Sequence, residues 1–206
     1  MTRPMLRVEG VCALAREAHA GQIDKQGRDY FSAHLEPIAA SLRKFGDHAE
    51  MAGYLHDIIE DTDTDESALL QAGVPYPVVR AVAAVSKRER EPYEQLIRRA
   101  ALDPLGRLVK LADNAHNLAG LDALAVTAPE TAERLREKYT SAREILLSVG
   151  SPEGRAWMIA ALREMEYNHP RATPDPDYWP SRDDLDELES LAAFRDHIVA
   201  LEAYDA

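Results

Sequence analysis

Residues 54–62 read Tyr-Leu-His-Asp-Ile-Ile-Glu-Asp-Thr, closing a segment of helical periodicity that runs over about 47–60. Side chains four apart on a helix share a face, so His56 falls above Glu60 and Asp57 above Asp61. Three carboxylates and an imidazole thus gather where the acidic run Glu60-Asp61-Thr62-Asp63 ends the helix. A helix C-terminus already carries partial negative charge, so more carboxylates there are unfavourable unless something offsets them. A divalent cation would, and mixed imidazole and carboxylate ligands suit manganese, iron or zinc better than calcium. The competing reading is a solvated acidic surface, with Thr62 or Thr64 capping the next helix.

A second segment has the same character: Leu108-Val-Lys-Leu-Ala-Asp-Asn-Ala-His-Asn-Leu118. Asp113 and Asn117 share a helical face, and His116 lies one turn from Asp113. The apolar residues Leu108, Val109, Leu111 and Ala112 put Asp113 near the interior, where a carboxylate needs a partner. That partner is either a metal or a helical neighbour, Lys110 or Asn117. His34 opens a helix directly after a polar loop, a position from which a side chain can reach a cleft.

Working outward, helical periodicity dominates and no segment sustains the alternation of a strand. A first helix spans about 5–20, with Val11, Leu14, Ala15 and Ala18 on one stripe. The stretch GQIDKQGRDYFSA comes next as a loop, and the second helix starts near His34. After the helix at 47–60, a short one near 65–72 stops at Gly73. Another covers VVRAVAAVSK, and one starts close to Pro92, where a proline fits a first turn. Pro104 and Gly106 precede the longer LGRLVKLADNAHNLAGL, and Pro129 opens a helix running to about Gly150. The proline-rich NHPRATPDPDYWPSRDD then reads as a connector to an acidic amphipathic helix at about 182–204, with Leu185, Leu188, Leu191 and Ala192 as its apolar face. The expectation is an all-α protein with a compact domain at 1–150 and a helical C-terminal extension at 151–206. Trp157, Tyr178 and Trp179 are read as packing or oligomer-contact residues, and His169 and His197 as incidental.

Hydrophobic residues make up 46% of the 206, enough for a sizeable core. The single cysteine, Cys12, excludes an internal disulfide and a Cys-rich zinc site. No apolar run is long enough to span a bilayer, and MTRPMLRVEG lacks the apolar segment of a secretory signal, so a cytoplasmic location is expected. The formal net charge of -12 disfavours nucleic acid and anionic membranes as partners. A phosphate-bearing ligand would need a bound cation or a local basic cluster.

The quoted segments together resemble the hydrolase domain of the RelA/SpoT homologue family, within the HD-domain superfamily. AREAHAGQIDKQGRDYFSAHLEP, GYLHDIIEDT, AVSK at 84–87 and LVKLADNAHNL keep the family's order and spacing over about residues 14–120. The Glu-Asp pair after the His-Asp pair is the specific feature. The resemblance implies a bundle of about ten helices and a metal, usually manganese, held by His34, His56, Asp57 and Asp113. It implies that Glu60 and Asp61 position or activate the attacking water. Lys25 and Asn117 would contact the nucleotide, Lys87 the phosphates, and Tyr139 the ribose or base. Two departures stand out. Around the first histidine the family has PYIxHP, whereas Asp29-Tyr-Phe-Ser-Ala-His-Leu-Glu-Pro37 carries what looks like one extra residue. Asn114 succeeds the second aspartate where the family often has Arg or Lys.

The activity implied is hydrolysis of the 3′-pyrophosphate of guanosine tetra- or pentaphosphate to GDP or GTP and pyrophosphate. Lys25, Arg28, Lys87, Arg88 and Lys110 would supply the positive field that the net charge lacks, although a surface arginine such as Arg28 or Arg88 is usually just solvated. After residue 150 too little chain remains to hold the family's nucleotidyltransferase domain, so synthesis is not expected. Two rivals remain open. Related enzymes remove the 2′-phosphate of NADPH or hydrolyse adenosine alarmones, and a non-catalytic helical module could bind a nucleotide or partner, with the C-terminal helix mediating self-association.

Overall fold

A computed structural model describes residues 5–149, and the expected C-terminal helix and the residues named within 151–206 lie outside them. The described residues form helices joined by turns and loops, with one isolated bridge between Ile23 and Asp29. α1 covers Val8–Ala18, α2 Glu36–Leu42, α3 Asp47–Leu55, α4 Ile58–Asp61 and α5 Glu66–Ala72. α6 spans Tyr76–Val85, α7 Tyr93–Leu102, α8 Pro104–Ala119, α9 Leu121–Thr127 and α10 Pro129–Ser148. The all-α class holds; α4 is a single turn, so fewer than ten full-length helices lie in this region. None of the described helices is long and apolar enough to cross a membrane.

α8 organises the bundle, packing against α2, α3, α6, α7 and α10. Its Leu108 and Val109 join the larger apolar cluster, built from α1 to α3, α5 and α6. Leu111 joins a second cluster with Ile97 and Ala101 of α7 and Ala142 and Leu146 of α10. Lys110 and Asp113 therefore sit at the seam between the two clusters. α2 and α3 approach almost backbone to backbone. A Cβ on Gly53 would lie 2.7 Å from the Ala39 Cα and 3.1 Å from its nitrogen. That contact, which only glycine allows, brings the turn before α2 against the end of α3.

The structure departs from the sequence expectations at three junctions. The segment 47–60 is not one helix. The ladder breaks at His56 and Asp57, and both the Glu60 and Asp61 N–H groups donate to the Asp57 carbonyl, at 3.1 and 2.9 Å. The helix after the acidic run is capped by Asp65, whose carboxylate accepts from the Ala68 N–H at 2.7 Å, and not by Thr62 or Thr64. The Thr62 hydroxyl instead donates back to the Ile58 carbonyl at 2.6 Å. The segment holding His34 opens as a wide π-type turn over Phe31–Leu35, in which the Glu36 N–H reaches back five residues to the Phe31 carbonyl. A π turn takes up one more residue than an α turn. The extra residue before His34 is absorbed there, and α2 continues with Ile38, Ala39 and Leu42 buried.

Candidate metal centre

The π turn, the α3–α4 junction and α8 bring their polar side chains to one point. The Nε2 atoms of His34 and His56 lie 3.3 Å apart. Asp57 Oδ2 stands 3.4 Å from the first and 3.1 Å from the second. Three ligands about 2.1 Å from a common ion sit roughly 3.0–3.4 Å from one another in octahedral or tetrahedral geometry. All three separations match, so the residues present fit a divalent metal. Asp113 stands beside this trio, with its Oδ1 3.6 Å from His34 Nε2.

The surroundings orient each donor. His56 Nδ1 contacts the Gly53 carbonyl at 2.8 Å, and a carbonyl only accepts, so Nδ1 carries hydrogen and Nε2 faces the cluster. The Tyr30 hydroxyl donates to Asp57 Oδ2 at 2.5 Å. Asp113 accepts from Asn117 Nδ2 at 2.5 Å through Oδ1 and pairs with Lys110 Nζ at 3.0 Å through Oδ2. The helical partners expected as alternatives to a metal are thus both present. They do not exclude one, because a carboxylate has about four acceptor positions.

Electrostatics reflect this crowding. Burial alone would push the His56 imidazole down, but Asp57, Asp113 and the Gly53 carbonyl outweigh it and lift the pKa to about 9. Burial would raise the Asp57 carboxyl, yet His56, His34 and Tyr30 hold it well below the usual carboxylate range. For Asp113 burial is likewise overcome, by Lys110 and His56, and its pKa is lowered. Burial, then the Asp57 charge, pushes the Tyr30 phenol so far up that it remains a donor at any accessible pH.

The acidic pair fans out from the trio. Glu60 lies on the single turn that follows the break at His56. Its Oε1 accepts from the Lys87 backbone N–H at 2.8 Å. Partial burial raises the Glu60 pKa, with the Lys87 N–H and Lys110 opposing. Asp61 Oδ2 accepts from Gln22 Nε2 at 2.8 Å.

The expected nucleotide contacts are placed unevenly. Asn117 and Lys110 touch the cluster through Asp113. Lys87 is exposed beside Glu60, and Lys25 is exposed in the loop before the π turn. Arg28 does not contribute a free charge, since it pairs with Asp24 at 2.7 Å inside that loop. Tyr139 is half-buried on α10, and its carbonyl accepts from Asn114 Nδ2 at 2.9 Å. Asn114 therefore ties α8 to α10 at the position where the family often has a cation. Several neighbours lie outside the sequence expectations. Tyr30 reaches Asp57, and the His116 ring meets the His34 ring edge-on at 5.1 Å. Lys138 Nζ lies 3.8 Å from the centre of the Tyr93 ring. Tyr30 stands four residues before His34, a spacing that could have flagged it; Tyr93 and Lys138 meet only through the packing of α7 on α10.

Comparison with known proteins agrees with this geometry. The HD domain family model matches residues 31–118. A probable guanosine-3′,5′-bis(diphosphate) 3′-pyrophosphohydrolase from Synechocystis is 32% identical over 146 residues, covering 65% of this chain and 19% of its own length. The Haemophilus influenzae protein named guanosine-3′,5′-bis(diphosphate) 3′-pyrophosphohydrolase is 34% identical over 125 residues, 54% of this chain and 18% of that one. The chain spans about a fifth of the length of the curated relatives it matches. A solved structure described as a metazoan orthologue of SpoT that hydrolyses ppGpp shares the fold, with a TM-score of 0.56 and 23% identity over 82% of this chain and 98% of the other. The chain thus matches the HD domain model over residues 31–118 and is similar over much of its length to these 3′-pyrophosphohydrolases.

Proposed function

We propose that this chain is a metal-dependent phosphohydrolase that removes the 3′-pyrophosphate of guanosine tetra- or pentaphosphate, with manganese as the metal. The observation that carries the reading is the 3.1–3.4 Å spacing of the His34, His56 and Asp57 donor atoms from one another, with a carboxylate pair on the adjoining turn. The relatives' names supply the substrate class.

In this reading His34, His56 and Asp57 hold the ion, and Asp113 completes the set from the side. When bound, a divalent ion supplies Lewis acidity and lowers the pKa of water from ~16 toward ~7. Glu60 and Asp61 are each anchored by one oxygen, to the Lys87 N–H and to Gln22, and keep Oε2 and Oδ1 for the water proton. Partial burial raises the Glu60 pKa, which favours its taking up the proton. The water oxygen bonds to the phosphorus attached to O3′, and the P–O3′ bond breaks. The nucleotide's 3′-oxygen takes up a proton, and pyrophosphate leaves carrying the water oxygen. In the same reading Lys25, Lys87, Asn117 and Tyr139 contact the nucleotide, Lys87 at the phosphates and Tyr139 at the ribose or base.

The test is incubation of purified protein with the alarmone and manganese, with and without chelator, scored by pyrophosphate release. Release that chelator abolishes is expected; no release in either arm removes the substrate assignment. Replacing His56 or Asp57 by Ala should abolish metal retention and turnover together. Asp61→Ala should keep the metal and lose rate, and metal loss there would contradict the division of roles. NADPH and adenosine alarmones in the same assay separate the rival substrates.

A further inference from the structure

We infer that Gln22 is a positioning residue for Asp61, and that buried His19 fixes Gln22 in turn. The inference rests on the proton-accepting role proposed for Asp61.

The orientation of each group is dictated by what its partner can do. A carboxylate only accepts, so the side-chain amide of Gln22 must turn its NH2 group to Asp61 Oδ2, 2.8 Å away. That leaves Gln22 Oε1 facing His19 Nδ1 at 2.6 Å. An amide oxygen also only accepts, so the proton of His19 sits on Nδ1. His19 is 1% exposed, and its Nε2 is buried without a hydrogen-bond partner. Leaving an imidazole nitrogen unpaired in the interior is unfavourable, and the ring keeps only its bond to Gln22 in compensation. A surface glutamine ordinarily loses little by turning to water. Here turning away would strip a buried histidine of its one hydrogen bond.

The backbone adds to the constraint. The Gln22 N–H donates to the His19 carbonyl at 3.0 Å, and the Gln22 carbonyl accepts from the Tyr30 N–H at 3.0 Å. The loop from Gln22 to Tyr30 is thus closed at its base, and both basal side chains reach the site. Tyr30 donates to Asp57 and Gln22 donates to Asp61. Position 61 begins where the α4 turn ends and the chain becomes extended at Thr62, so the helix itself holds this carboxylate weakly. A donor from outside α4 fixes its direction.

Two substitutions in the full chain, assayed with alarmone and manganese, separate positioning from loop folding. Gln22→Glu keeps the length and the acceptor for His19 but loses the donor and sets a second carboxylate against Asp61. Gln22→Lys keeps a donor for Asp61 and loses the acceptor. Positioning predicts that Gln22→Glu lowers kcat by about 10-fold or more, while Gln22→Lys stays within about threefold of the parent. KM and bound metal should be unchanged in both. If both variants fall alike, or Gln22→Lys falls further, Gln22 serves only the loop and the inference is overturned. Parent-like kcat in both overturns it as well. Nitrogen-15 spectra of the His19 ring, read without metal or substrate, should show hydrogen on Nδ1; hydrogen on Nε2 would break the chain of bonds at its first link. A parent chain that releases no pyrophosphate defeats the proposed reaction and the kinetic role with it, an outcome distinct from an active parent with indifferent variants.

Discussion

Removing one oxygen atom, in Tyr30→Phe, tests whether the trio is assembled from behind as its geometry requires. The Tyr30 hydroxyl donates at 2.5 Å to Asp57 Oδ2, the same atom that lies 3.4 Å from His34 Nε2 and 3.1 Å from His56 Nε2. The phenol never ionises in the accessible range, so the bond is neutral donor to anion at every pH. Such bonds contribute about 1.5–3 kcal/mol. The Asp57 side chain is 17% exposed, so water can partly replace the hydroxyl, and the low end of about 1.5 kcal/mol applies. That corresponds to roughly a 10-fold weaker manganese Kd, within the range of about 10–100-fold found when a ligand's supporting partner is removed. The ring still packs against His34 at 5.1 Å between centroids, so the π turn should survive. Calorimetric titration of metal into the metal-free protein measures the change. An unchanged Kd would refute the view that Asp57 Oδ2 is oriented by Tyr30 for the ion.

Packing, protonation and backbone support of the site can each be tested in turn. Gly53→Ala forces a Cβ to 2.7 Å from the Ala39 Cα, an overpacking that should cost about 2–3 kcal/mol and lower the melting temperature by several degrees; an unchanged melt would mean α2 and α3 are not in backbone contact. The His56 pKa rises from 6.5 to about 9 on folding, so its proton stabilises the metal-free chain fully below about pH 6.5 and is lost as pH climbs through about 9. The drop in melting temperature on adding chelator should therefore be smaller at pH 6 than at pH 9, and the reverse order would contradict the assignment. The lowered pKa values of Asp57 and Asp113 act only well below this window. Lys87→Pro removes the backbone N–H that holds Glu60, whereas Lys87→Ala keeps it, so kcat should fall further in the proline variant; equal kcat values would show that the N–H does not place Glu60.

The parts of this molecule legible in its sequence are those set by local periodicity. The buried faces of α6 and α8 could be read because Val78, Val79 and Val82, or Leu108, Val109 and Leu111, recur at helical spacing. His34, His56, Asp57 and Asp113 were legible as a group because their residue types and spacing resemble a known family. What could not be read is the break at His56. No proline or glycine stands at it, and what accompanies it is the contact of the His56 ring with the Gly53 carbonyl, which depends on the folded chain. The π turn escaped for the same reason: an inserted residue is visible in the sequence, but whether it shifts His34 off the site depends on backbone bonds formed after folding. Gln22 lies 39 residues from Asp61, and no local pattern can encode a pairing of that length.

The acidity of the whole chain and the polyanionic substrate proposed for it are reconciled inside the cluster. At neutral pH, with His56 protonated, the carboxylates Asp57 and Asp113 face the two cations His56 and Lys110, so these four groups balance. Exchanging the His56 proton for a divalent ion adds one unit of positive charge at a point with little water. Fields are strongest where the dielectric is low, so that single unit outweighs the net charge of -12, which is spread over a screened surface. Lys87 and Lys138 are near enough to Lys110 for their charges to act together. A substrate bearing several phosphates would be drawn to these cations and the loaded metal, with Glu60 and Asp61 left for the water. The distribution makes metal loading the step that creates the anion site, so alarmone binding should depend on metal even in an Asp61→Ala variant of reduced turnover. Filter binding of labelled alarmone to that variant, with and without manganese, decides it: equal binding in both would mean that the lysines alone carry the phosphates.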